Sequence, residues 1–207
     1  MIRSGPMRNR TDCAFLEEKL VYRMLIVFGG LPGTGKTTVA KALAQKLDAV
    51  YLRIDTIGQA LRSHEALKTD VGPWGYIVGY RLAEDNLRIG RIVVTDSVNS
   101  LKMTRDAWVS VAERAATEAA EVEVVCSDAA EHRRRIETRR SDIEKLRLPT
   151  CQNVINREYE SWDRHHIIID TASKTVSETL ADLLDRLGLA KSHSRRSAQT
   201  LPRAQQL

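Results

Sequence analysis

Eight consecutive residues, Gly30-Leu31-Pro32-Gly33-Thr34-Gly35-Lys36-Thr37, carry the most specific chemistry in this 207-residue chain. Three glycines let a backbone curl until successive N–H groups point at one anion. A lysine and a threonine follow at once, and an apolar run, Leu25 to Phe28, stands immediately before. In that setting the Lys36 ammonium serves phosphate oxygens, the Thr37 hydroxyl ligates Mg²⁺, and Thr38 lies within the first turn of a helix whose positive end faces the same anion. A dinucleotide-binding fingerprint fits less well, because its third glycine position holds Thr38 and it gives Lys36-Thr37 no role.

Two carboxylates occupy positions where strands should end. Arg53-Ile54-Asp55 closes one apolar run, with Arg62 on the helix that follows, and a carboxylate at the tip of a parallel strand faces the ligand crevice. Asp55 could equally cap that helix ahead of Thr56. Val93-Val94-Thr95-Asp96 closes another run, an arrangement in which the acid holds Mg²⁺ directly or through water. The sequence leaves open which of Asp55 and Asp96 is a base and which a metal partner. A third cluster, His132 to Arg140, places Arg135 and Arg139 four residues apart, a spacing that shares one helix face. It reads either as a cationic lid over a triphosphate, with Arg140 alongside, or as a solvated basic surface.

The elements that must position these groups alternate in type. Strands are expected at 25–28, 50–54, 91–95, 122–126 and 167–169, and helices near 36–47, 74–89, 104–120, 129–140, 152–162 and 176–187. Short β-branched runs separated by helical patterns predict an α/β three-layer sandwich around a five-stranded parallel sheet, the P-loop NTPase architecture with an Arg-rich lid. Apolar residues make up 43% and charged residues 29%, a soluble globular composition with room for one domain. The expected organisation is an N-terminal extension over 1–23, the domain over 24–187, and a basic, Gly/Ser/Gln/Arg-rich tail over 188–207 of disordered character.

Charge and cysteine usage narrow the function classes. The net charge is +5, but residues 1–23 carry five basic and three acidic groups and residues 188–207 four basic and none acidic, which leaves the stretch between at −1. Long-range attraction to nucleic acid is therefore not a property of the core. Cys13, Cys126 and Cys151 lack the spacings of a zinc site or a redox dithiol. No run approaches the ~20 apolar residues of a membrane helix, and the expected location is cytoplasmic.

These blocks resemble the bacterial predicted kinases of the AAA_33 type, a group that includes chloramphenicol phosphotransferase-like, zeta-toxin-like and gluconate kinase-like proteins. The resemblance spans about residues 24–187. It implies an ATP- and Mg²⁺-dependent kinase that moves the γ-phosphate to a hydroxyl of a small acceptor. Asp55 then orients or deprotonates that hydroxyl, while Arg62, Asp96, Asn99 and Arg105 line the acceptor pocket. Lys36, Arg135 and Arg139 act on the transferring phosphoryl group, and the backbone around Thr171 flanks the adenine. The alternative from another class is an ATP-binding switch that hydrolyses slowly to change partners.

Overall fold

The computed structural model describes residues 23–63 and 72–190. The short helix expected within 13–23, the rest of the N-terminal extension and most of the basic tail lie outside the described residues.

Among the described residues five strands, β1 (Met24–Gly29), β2 (Val50–Arg53), β3 (Val93–Asp96), β4 (Glu118–Val125) and β5 (Ile167–Asp170), pair in the order β2-β3-β1-β4-β5. Every pairing is parallel. Among the described residues seven helices connect or flank them: α1 (Lys36–Leu47), α2 (Ile54–Ser63), α3 (Trp74–Arg88), α4 (Lys102–Arg114), α5 (Ala129–Thr138), α6 (Cys151–Ile155) and α7 (Val176–Arg186). This is the α/β three-layer sandwich that the alternation of patterns predicts.

The central strand shows why the sheet is covered on both faces. Leu25, Ile26, Val27 and Phe28 are all fully buried, and their side chains alternate sides with the period of two that a strand imposes. Ile26 and Phe28 join Val39, Leu43 and Leu183 beneath α1 and α7. Leu25 and Val27 join Leu87, Trp108 and Val111 beneath α3 and α4. Leu189, beyond the end of α7, is 5% exposed and belongs to the first of these cores.

Two elements depart furthest from the periodic pattern. The helix expected over 104–120 stops at Arg114, where Ala116 takes a φ of 51° and the Thr117 amide donates back to the Ala112 carbonyl. Glu118-Ala119-Ala120, residues of good helical propensity, then begin β4 because they pair with Met24-Leu25-Ile26; tertiary pairing outweighs a weak local preference. The helix expected over 152–162 is confined to α6, because Tyr159 and Trp162 are drawn against Glu123 and His166 instead.

The strand order sets the place for a ligand. The chain leaves β1 towards β2 and leaves neighbouring β3 towards β4, so the crossovers diverge between β1 and β3. In open α/β sheets the crevice at the carboxyl ends of such strands is where ligands bind. Phe28 and Asp96 are register partners there, as are Arg53 and Asp96.

Candidate active site

Gly30, Gly33 and Gly35 have φ of 129°, 91° and 89°, and through them the chain wraps around the head of α1. A Cβ on Gly30 would sit 2.2 Å from the Val124 carbonyl oxygen, so no larger residue fits the loop as folded. The loop is tied down from outside. Gly30 N–H donates to the Val98 carbonyl at 3.0 Å, and the Thr171 hydroxyl donates to the Thr34 carbonyl at 2.7 Å. Helix α1 opens on Gly35 with no side-chain cap and no acidic residue in its first turn. Its unpaired amides therefore face the cleft as donors for an anion.

Lys36 and Asp96 form the electrostatic centre. Lys36 Nζ lies 2.9 Å from Asp96 Oδ1, with the two residues 8% and 2% exposed. The Tyr51 hydroxyl donates to Asp96 Oδ2 at 2.7 Å, and Arg53 Nε stands 3.9 Å from the same oxygen. Burial opposes ionisation of Asp96, but the Lys36 charge and hydrogen bonds from Tyr51, Lys36 and Thr37 outweigh it, and the carboxyl is held below its ordinary value. The converse holds for Tyr51, where burial and the Asp96 charge push the phenol well up.

Helix α5 packs directly on the loop. Its N-terminus is capped by Asp128, which accepts from the Glu131 amide. His132 Nε2 lies 2.9 Å from the Pro32 carbonyl, and Ile136 Cγ1 would meet a Cβ on Gly33 at 2.5 Å. Arg135 donates to the Thr171 hydroxyl at 2.8 Å and the Glu131 carboxylate at 2.6 Å. One turn later the helix has ended. Arg139 is its C-cap, with φ −63° and ψ 147°, so the two arginines do not continue one helix face. Arg139 is partly buried and donates to the Pro149 carbonyl at 3.3 Å, while its Nε has no partner. Burial lowers its pKa, and Asp55 is the carboxylate whose charge opposes that shift.

A cleft of about 1470 Å³ joins these parts. Leu31, Pro32, Gly33, Gly35, Lys36, Thr37, Thr38, Asp55, Arg62, Arg135, Arg139, Arg140 and Thr171 all line it. Gly30 and Thr34 form the back of the loop, and Asp96 lies beneath it through Lys36. Asp55, in the first turn of α2, is exposed to the cleft rather than buried as a cap.

Two residues expected at the acceptor pocket are not brought there. Asn99 is fully buried, donating to the Phe28 carbonyl at 2.8 Å and accepting from Trp108 Nε1 at 3.2 Å. Arg105 is 0% exposed, donates to the carbonyls of Asn99, Ser100, Glu160 and Ser161, and lies 4.8 Å from the Trp162 ring centre. The two Arg105 Nη atoms pin the segment after β3 to residues 160–161, while its buried Nε has no partner among the described residues.

Sequence reasoning passed over Tyr51, Arg53 and Asp142. The Asp142 carboxylate bridges Lys41 on α1 and Arg53 Nη1, the latter at 2.6 Å, and hydrogen bonds from Lys41 and Arg53 hold its carboxyl far below the usual range. It fastens the loop after α5 across the cleft. Arg53 stood beside Asp55 in a strand expected to end at the crevice, which was a usable signal; nothing local marked Asp142.

The AAA_33 family model, described as an AAA domain, matches residues 25–154. The chain belongs to that family. No curated protein matches its sequence significantly. Among solved structures, the AAA_33 chain resembles a gluconokinase from Sinorhizobium meliloti 1021 at 19% identity and a TM-score of 0.55, covering 87% of this chain and 99% of that one. The Mycobacterium tuberculosis APS kinase CysC, in complex with AMPPNP and APS, matches at 18% and 0.56, covering 80% and 97%. Chaetomium thermophilum Kti12, in complex with ADP-AlF3, matches at 22% and 0.57, covering 78% and 97%. The shared architecture is the P-loop NTPase α/β fold. Among the described residues no helix is long and apolar enough to cross a membrane.

Proposed function

We propose that this AAA_33 protein is an ATP-dependent phosphotransferase that moves the γ-phosphate to a hydroxyl of a small acceptor by direct in-line transfer. One observation carries the reading: the Lys36–Thr37 head of α1 and the exposed carboxylate of Asp55 line a single cleft of about 1470 Å³. That exceeds the ~300–1,000 Å³ of a usual small-molecule pocket and suits two reactants held together.

The loop amides and the start of α1 grip the β- and γ-phosphates. Lys36 exchanges its Asp96 partner for phosphate oxygens, and Arg135, anchored beside Gly35 and Thr171, adds positive charge where the transferring group develops negative charge. Thr37 and Asp96 would hold Mg²⁺. They offer a hydroxyl and a carboxylate oxygen, hard donors that suit an ion which keeps several waters and takes phosphate oxygens. The described residues contain no cluster of three His, Cys, Asp or Glu for an all-protein site. The ion supplies charge neutralisation of the triphosphate. Asp96, with both oxygens engaged and its proton affinity depressed, suits that part better than the base. Asp55 is free to accept the hydroxyl proton or orient the hydroxyl. Thr171 and Arg62 both line the cleft, which supports assigning the backbone around Thr171 to the adenine and Arg62 to the acceptor.

Incubation with ATP, Mg²⁺ and a panel of small alcohols, sugars, nucleosides and antibiotics tests this reading through acceptor-dependent ADP release. Asp55→Asn should cut transfer at least ~100-fold, the range of general-base catalysis, while leaving binding of a non-hydrolysable ATP analogue unchanged. Slow ADP formation indifferent to every acceptor would favour a nucleotide switch.

A further inference from the structure

The acceptor end of the cleft holds more positive charge than its own carboxylate neutralises. Asp55, Arg62, Arg139 and Arg157 all line the one cleft; Arg139 feels the Asp55 charge, and the fields of Asp55 and Arg157 meet at Tyr76, which lines the cleft as well. None of the three arginines has an ion-pair partner among the described residues; the cleft's guanidinium ion pairs among those residues belong instead to Arg53 and Arg135. Arg139 is the sharpest case. It is partly buried, makes one long hydrogen bond of 3.3 Å to a neutral carbonyl, and keeps a buried Nε with no acceptor. A partly buried cation left so incompletely paired is costly. Its arrangement suits an incoming oxyanion, which a guanidinium binds through two parallel hydrogen bonds. The triphosphate does not account for it, since Lys36, the α1 amides and Arg135 already surround the cradle, and the carboxylate that Arg139 senses is Asp55.

We infer that the acceptor is itself an anion, a hydroxyl compound bearing a carboxylate or phosphate group, which docks on Arg139 with Arg157 and Arg62 at the rim and presents its hydroxyl to Asp55. The inference rests on the kinase reading above and narrows it to a substrate class.

Calorimetry on the full chain separates the two. A non-hydrolysable ATP analogue with Mg²⁺ is titrated first; no binding removes the kinase reading and this inference with it. The analogue-saturated protein is then titrated with malonate, inorganic phosphate and, as the neutral counterpart, glycerol. Saturable binding of malonate or phosphate but not glycerol is expected, and the preferred anion names the acceptor's group. Arg139→Ala should weaken that binding ~10- to 100-fold, the usual size of a charged hydrogen bond, with analogue affinity unchanged. Arg157→Ala, at an exposed position, should weaken it at least several-fold. Analogue binding without saturable anion binding would overturn the inference while leaving the kinase reading standing. So would anion binding untouched by both substitutions, or loss of analogue affinity in Arg139→Ala. Binding restricted to a 5′-phosphorylated oligonucleotide would overturn it too, in favour of a nucleic-acid acceptor.

Discussion

Replacing Asp96 by alanine removes the carboxylate 2.9 Å from a Lys36 ammonium that is 8% exposed, and also strips Tyr51 of its acceptor. Breaking a buried pair from one side costs about 3–5 kcal/mol, because the remaining charge stays desolvated and unpaired. Lys36→Met should be gentler. A side chain of similar length fills the space, and Asp96 keeps hydrogen bonds from Tyr51 and Thr37 and the Arg53 guanidinium at 3.9 Å, so the loss should be about 1–3 kcal/mol. The double variant leaves neither charge behind, and its loss should fall short of the sum by about 1–3 kcal/mol. For a domain of this size 1 kcal/mol corresponds to ~2–4 °C, which puts the Tm of Asp96→Ala ~6–20 °C below that of the parent. Nucleotide-free urea unfolding at pH 7, followed by tryptophan fluorescence, measures all four corners of the cycle. Equal losses in the two single variants, or losses that simply add, would refute the claim that each charge is held in place by the other. Lys36→Met should also abolish turnover, so its inactivity must be compared at a temperature where it is folded.

Gly30→Ala places a methyl 2.2 Å from the Val124 carbonyl at a φ of 129°; it should cost at least ~3 kcal/mol and be visible as a lowered urea midpoint. Arg105→Leu strands four carbonyls that the guanidinium now serves; it should cost at least ~3 kcal/mol while leaving acceptor KM within about twofold, and a selective rise in acceptor KM would return Arg105 to the pocket. Asp142→Asn releases the loop after α5, so trypsin should cut after Lys145 or Arg147 several-fold faster in fluorescence-monitored digests. Because Lys41 and Arg53 depress the Asp142 pKa, the ion pairs are intact above the ordinary carboxylate value of ~3.9 and are lost only as pH falls below it. The stability difference between parent and variant, about 0.5–1 kcal/mol for so exposed a group, should therefore be flat from pH 5 to 8 and shrink in stronger acid.

What the sequence disclosed divides along the range of the interactions involved. The phosphate loop was legible because its glycines and Lys36 act on the neighbouring backbone, and a backbone curl is written in consecutive residues. Alternation of the buried runs was enough to give the sheet, since Leu25 to Phe28 had to be covered on both sides. Asn99 and Arg105 had the right chemistry and a nearby motif, yet the Phe28 carbonyl and those of residues 160–161, which hold them, are supplied by distant segments that no local pattern announces. The same holds for Asp142, which becomes informative only once β2 and α1 are brought beneath it. Glu118 to Ala120 show the reverse error, where good local propensity concealed a pairing with β1.

Leu189 carries a practical lesson for anyone trimming the gene. The last periodic helix invites a stop codon after Leu187, but the leucine two places on is a plug in the seam between the α1 and α7 helices, and its amide is tied to the Leu184 carbonyl at 2.8 Å. Shortened versions, affinity tags and protease sites should begin after Ala190, where they leave that seal in place.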